Sequence, residues 1–232
     1  MSDNWRTHAK FWSTQYEVHA IDQRNHGKSF HSQEFNYDLM AADIIHYMDD
    51  HNIPQAIVLG HSMGGKTAMS LALQYPTRVS KLIVADIAPK NYDIDTKFSN
   101  IIKGLLHLHN LTLRSRTEAD TLLMPFVPEM GVRQFLLKNL AWTEQKTLSL
   151  RCNIEVLQHK LKEIGAAPTG LPYSGKTLFL AGKQSDYVLQ TDMTSIQDLF
   201  PRASLHWVAN AGHWLHAENP KGFTIALQDF LS

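Results

Sequence analysis

The chain has 232 residues, the length of one domain, and its 22 Lys and Arg are balanced by 22 Asp and Glu. Zero formal net charge argues against a polyanion-binding surface, so nucleic acid is not an expected partner. Hydrophobic residues at 44% and charged ones at 19% fit a soluble globular protein with a real core, and the single Cys152 excludes an internal disulfide and a Cys-based zinc site.

Residues 16–21 (YEVHAI) carry the β-branched and aromatic pattern of a short strand, and the polar stretch 22–29 (DQRNHGKS) after them reads as a turn. Residues 37–51 place Met40, Ile44, Tyr47 and Met48 at helical spacing, with Asn36 or Asp38 as cap and Asn52 and Pro54 as stop. Residues 56–59 (AIVL) and 81–85 (KLIVA) are apolar runs of the kind buried on both faces of a parallel sheet, and residues 67–74 between them form a helix. From 91 to about 170 no strand pattern is visible. Helical stretches run near 98–109, 132–140 and 153–164. Alternation then resumes with a strand at 177–181 (TLFLA), a helix at 191–200, a strand at 204–208 and a closing helix at 221–231.

Strand–helix alternation predicts an α/β fold with a mostly parallel sheet. The expected organisation is a core of residues 1–90 and 171–232 interrupted by a helical cap insertion, 91–170. Ile101, Leu105, Phe126 and Leu136 of that insertion are read as its own core first and as lining of an apolar pocket second. No apolar run approaches the roughly 18 residues that span a bilayer. The first residues lack the basic-then-apolar pattern of a secretory signal, which makes a cytoplasmic location the default.

Gly60-His61-Ser62-Met63-Gly64 matches G-x-S-x-G, directly after an apolar strand and at the opening of a helix. That setting is the one the motif needs. A serine on a sharp strand-to-helix turn is lifted above the sheet edge, the glycines let strand and helix pass closely, and the N–H of Met63 at the helix N-terminus is placed to stabilise an oxyanion. Ser62 is therefore the candidate nucleophile. His61 is its neighbour on too tight a turn to be its base and is read as packing or pocket lining.

A serine nucleophile needs a base, oriented in turn by a carboxylate. Ligands bind at the carboxyl ends of parallel strands, and His213 lies in the loop there, Asn210-Ala211-Gly212-His213-Trp214. It is the candidate base. His206 reads as a sheet residue and His216 as a surface position or a support. For the acid, Asp186 follows TLFLA and is the first choice, with Ser185 assisting. Asp86, directly after KLIVA, is the rival, because some enzymes of this architecture place the acid one strand earlier. His107 and His109 would need distant partners to bind a metal, and Cys152 reads as a buried small side chain.

With these residues in view, the chain resembles the α/β-hydrolase superfamily. The segments Asp22-x-Arg24-Asn25-His26-Gly27-x-Ser29, Gly60-His61-Ser62-Met63-Gly64-Gly65-Lys66, Asp86-Ile87-Ala88-Pro89 and Asn210-Ala211-Gly212-His213-Trp214 are most similar to the small bacterial esterases and their mitochondrial abhydrolase-domain relatives. The resemblance implies hydrolysis of short acyl esters or acyl-CoA thioesters, with no metal or organic cofactor. It implies Ser62 as nucleophile and His213 as base, and leaves both Asp86 and Asp186 open as the acid. Members of that group open with two or three strands and a His-Gly-x-x-Gly-type loop that donates a second oxyanion N–H. Here residues 1–5 resemble the stretch just downstream of that loop, so the first strands are expected to be missing and Met1 to be an internal methionine taken as the start. A non-catalytic binding protein that keeps the fold is the other reading of this departure.

Overall fold

The computed structural model describes residues 1–94 and 98–232 with their side chains, and residues 95–97 by backbone alone. The chain forms two compact units. One comprises Asn36–Tyr92 with Ala166–Ser232, the other Met1–Phe35 with Asp93–Gly165.

The first unit is built on strands β1 (Ala56–His61), β2 (Val79–Ala85), β5 (Lys176–Gly182) and β6 (Ala203–Val208), all parallel, in the order β1-β2-β5-β6. Each is the apolar run expected from the sequence, longer by a residue or more. The two central strands are buried over most of their length, from Leu82 to Ala85 and from Thr177 to Gly182, as a sheet covered on both faces requires. Helix α2 (Tyr37–Asp50) starts where Asn36 accepts a hydrogen bond from Leu39 N at 2.8 Å. Helix α3 (Met63–Gln74) packs on β1 and β2 and is buried almost all round, from Gly65 to Leu73, so its Ala, Leu and Met residues serve every face at once. Helices α9 (Met193–Leu199) and α11 (Pro220–Leu231), the latter preceded by the one-turn α10 (Leu215–Glu218), pack on β6. The expected helix at 191–200 begins with a 3-10 turn, Gln190–Asp192.

The second unit holds helix α1 (Arg6–Trp12), α4 (Ile94–His109), α5 (Arg116–Leu123), α6 (Met130–Leu137), α7 (Ile154–His159) and α8 (Leu161–Gly165). Residues 1–35 therefore group with the insertion and not with the sheet. The strand expected at 16–21 is absent. The segment runs mostly exposed and without a ladder, because an alternating sequence becomes a strand only where a neighbour pairs its backbone. The motif that follows closes on itself. Asp22 accepts from Ser2 N at 2.7 Å and Lys28 N at 3.0 Å, Asn25 exchanges two hydrogen bonds with Ser32, and Gly27 has φ +64° where a Cβ would run into the Asp22 carboxylate. Arg24 donates to Glu34 O at 3.0 Å. The insertion also contains an antiparallel pair that the sequence hides, β3 (Leu140–Trp142) with β4 (Leu148–Leu150). Three residues a strand are too few to show a period of two. Leu105 and Leu136 are buried, as residues of the unit's own core are.

Among the described residues, no helix is long and apolar enough to cross a membrane.

Candidate active site

The site is assembled at the carboxyl ends of the four strands of the sheet unit. Ser62 stands between β1 and α3 with φ 54° and ψ −121°, a conformation that L residues avoid and that persists only where the surroundings impose it. They do so here. Ser62 N donates to Ala85 O of the neighbouring strand at 2.9 Å, and Lys66 N donates to Ser62 O at 3.1 Å as the first turn of α3. The glycines are sterically required. A Cβ on Gly60 would run into the Gly64 carbonyl, and one on Gly65 would come 2.6 Å from Ile87 Cγ2. Met63 is the first residue of α3, where backbone N–H groups have no partner within the helix and the helix dipole is positive.

His213 arrives from the loop after β6. Its Nε2 lies 3.1 Å from Ser62 Oγ and its Nδ1 2.8 Å from Asp86 Oδ2. Asp86 is the residue that meets the imidazole. It follows β2, has φ 49°, is fully buried, and is fixed by its own N–H bonding Leu180 O at 2.7 Å. Its Oδ1 accepts from Gly182 N at 2.9 Å, and its Oδ2 accepts from Ser185 Oγ as well as from His213 Nδ1. A carboxylate that accepts from three donors is fixed in place, and by accepting from Nδ1 it turns Nε2 of the imidazole to face the serine. Asp186, the first choice from sequence, is exposed in the loop after β5. Its neighbour Ser185 reaches the network from that loop instead, which is the assistance the sequence suggested.

Tyr187 is a further member that sequence gave no reason to single out. Its ring stacks on His213 with centroids 3.9 Å apart and planes 19° from parallel. The Tyr187 carbonyl accepts from Tyr92 Oη at 2.6 Å, and Tyr92 Oη accepts from Ala88 N at 2.9 Å, which ties the stack to the segment after Asp86. Burial raises the pKa of both phenols, so they stay neutral. His61 Nε2 lies 2.7 Å from the His213 carbonyl, and His216, buried, packs its ring 4.7 Å from that of His61. His206 is exposed in β6, as a sheet residue.

Other candidates do not join the cluster. His107 packs on Phe126 and His109 lies 3.5 Å from Glu155, and no group of three or more His, Cys, Asp or Glu poised to hold a metal occurs among the described residues. Cys152 is buried, and burial pushes its thiol up to about 11, away from reactivity.

Residues 1–122 match a family model described as alpha/beta hydrolase fold. The sn-1-specific diacylglycerol lipase ABHD11 of Danio rerio is 38% identical over 220 residues, covering 93% of this chain and 69% of that protein. Esterase YbfF of Escherichia coli is 31% identical over 230 residues, covering 99% and 88%. Among solved structures, an esterase from a marine microorganism superposes with a TM-score of 0.93 at 36% identity, over 99% of this chain and 90% of that one.

Proposed function

The chain belongs to the α/β-hydrolase fold family and is a hydrolase, and from that premise we propose that it cleaves carboxylic esters through a serine-bound acyl intermediate. Ser62 is the nucleophile, His213 the base, Asp86 the orienting carboxylate, and Met63 N–H an oxyanion donor. The observation that carries this reading is the unbroken hydrogen-bonded chain from Asp86 Oδ2 through His213 to Ser62 Oγ, at 2.8 and 3.1 Å.

His213 Nε2 takes the proton of Ser62 Oγ as that oxygen bonds the acyl carbon. The negative charge on the carbonyl oxygen is met by the N-terminus of α3. Collapse of the tetrahedral adduct breaks the bond to the alcohol or thiol, which leaves with the proton from Nε2. Water then repeats the sequence on the acyl-serine and releases the acid. Asp86 keeps the proton of His213 on Nδ1 throughout and stabilises the transient imidazolium. The names of the relatives, esterase and diacylglycerol lipase, support a carboxylic ester as the substrate class. Acyl-CoA thioesters present the same carbonyl chemistry. No step calls for a metal or an organic cofactor.

A fluorophosphonate probe and a panel of short-chain ester substrates test the proposal. The wild-type protein is expected to label and to turn over, and Ser62→Ala to lose labelling and about 10⁵- to 10⁶-fold in kcat. Absence of Ser62-dependent labelling in a folded sample would overturn the proposal in favour of a non-catalytic binding protein.

A further inference from the structure

We infer that His61 is a positioning residue whose Nε2–H holds the backbone carbonyl of His213 and thereby fixes that imidazole against Ser62 Oγ. The inference rests on the reading of Ser62 and His213 as nucleophile and base, and adds a part that this reading does not contain.

The reason for such a part lies in the sheet order. Ser62 follows β1 at one edge of the four-stranded sheet, and the His213 loop follows β6 at the other. With neighbouring strands about 4.8 Å apart, the loop and the side chains that meet have to span roughly 14 Å of sheet between them. A loop without a ladder must be tied at both ends of such a reach or its side chain will wander. Near β6 the loop is held by backbone bonds, Lys183 N to Val208 O at 3.0 Å and Gln184 N to Ala211 O at 2.9 Å, and by side chains, Asn219 Nδ2 donating to Ala209 O at 2.8 Å and Glu218 accepting from Gly212 N. At the far end the tie to the loop's backbone is His61, at 2.7 Å, from the residue directly before Ser62. Two consecutive residues of the turn thus engage one histidine, His61 its main chain and Ser62 its ring.

The chemistry of the tie suits the reaction. The acceptor is a carbonyl, so His61 Nε2 must carry the proton. Burial and, less strongly, the neighbouring imidazoles of His213 and His216 hold the pKa of His61 well below its ordinary value, so it donates as a neutral ring. A neutral donor fixes the base without placing a second positive charge beside the imidazolium that forms during turnover. The ring itself is packed, 4.7 Å from the ring of His213 and 4.7 Å from that of His216, with His216 packed against Phe223 of α11.

The test compares His61→Met, which fills the space and removes the donor, with His61→Gln, whose amide nitrogen stands the same number of bonds from Cα as Nε2. With ester substrates, His61→Met is expected to lose about 10- to 100-fold in kcat with KM moved by less than about 3-fold, and His61→Gln to recover to within about 5-fold of wild type. Equal losses in the two variants, or a kcat for His61→Met within about 2-fold of wild type, would overturn the inference. A second readout needs no substrate. The NMR resonance of the His213 Nδ1 proton is expected to stay sharp in wild type and His61→Gln and to broaden in His61→Met, and an unchanged resonance in His61→Met would overturn the inference. Failure of the hydrolase reading shows separately, as wild-type protein that neither labels nor turns over.

Discussion

Three donors converge on the carboxylate of Asp86: Gly182 N–H, the Ser185 hydroxyl and His213 Nδ1–H. Such a group is expensive to alter, because an amide in its place would turn a donor toward Nδ1 and favour the wrong imidazole tautomer. Asp86→Asn is therefore expected to lower kcat by about 10³- to 10⁴-fold while the protein still folds, which steady-state kinetics and circular dichroism would check together. Asp186→Asn, in the exposed part of the neighbouring loop, is expected to change kcat by less than about 3-fold. The reverse ranking would hand the acid's role to Asp186. The sequence left these two open for a physical reason. They follow β2 and β5, which are adjacent in the sheet, so the two loops end side by side and spacing along the chain cannot separate them.

At the scale of elements, the strand–turn–helix from β1 to α3 is the feature most legible in the sequence, because its constraints are local. An apolar run, a serine and glycines at fixed spacing state the strand, the strained turn and the close approach within a dozen residues. The approach of Gly60 to the Gly64 carbonyl leaves no room for even one methyl group. Gly60→Ala is expected to cost at least about 3 kcal/mol of stability, read as a lower urea midpoint, since the obstacle is backbone that cannot turn aside. The pair β3–β4 and the unladdered residues 16–21 were not legible, for opposite reasons. One is too short to show its period, and the other shows its period and finds no partner.

At the scale of the whole molecule, Lys66 is a buried base with a structural task. Its ammonium donates to Lys90 O at 3.0 Å and to Ala166 O at 2.5 Å, beside the points where the chain leaves the sheet unit and returns to it. The rings of Tyr92 and Tyr37 lie 4.8 and 5.7 Å away. Burial pulls its pKa from 10.5 down to about 7. The unfolded chain therefore binds this proton more tightly than the folded one, and the sign follows. Folding is penalised below pH 7, and the penalty lifts as pH rises from 7 to 10.5. Wild type is expected to gain stability relative to Lys66→Met across that window, by at most about 1.4 kcal/mol per pH unit, and paired urea titrations at pH 7 and pH 10 would show it. A difference that stays flat would mean that Lys66 keeps its ordinary pKa in the folded protein.

The sequence by itself determined the class of the fold, the identity of the serine and histidine that meet, and the interruption of the sheet by a helical stretch. These are written in periods and motifs that each occupy one segment. Only the tertiary structure decided that Asp86 faces His213, that His61 holds the backbone of His213, and that residues 1–35 pack with the insertion. The first two depend on groups 127 and 152 residues apart coming within hydrogen-bond distance, as Asp86 and His61 do with His213. Burial periodicity reports which side of an element faces inward, and carries no information about which atom of a distant loop will meet it there.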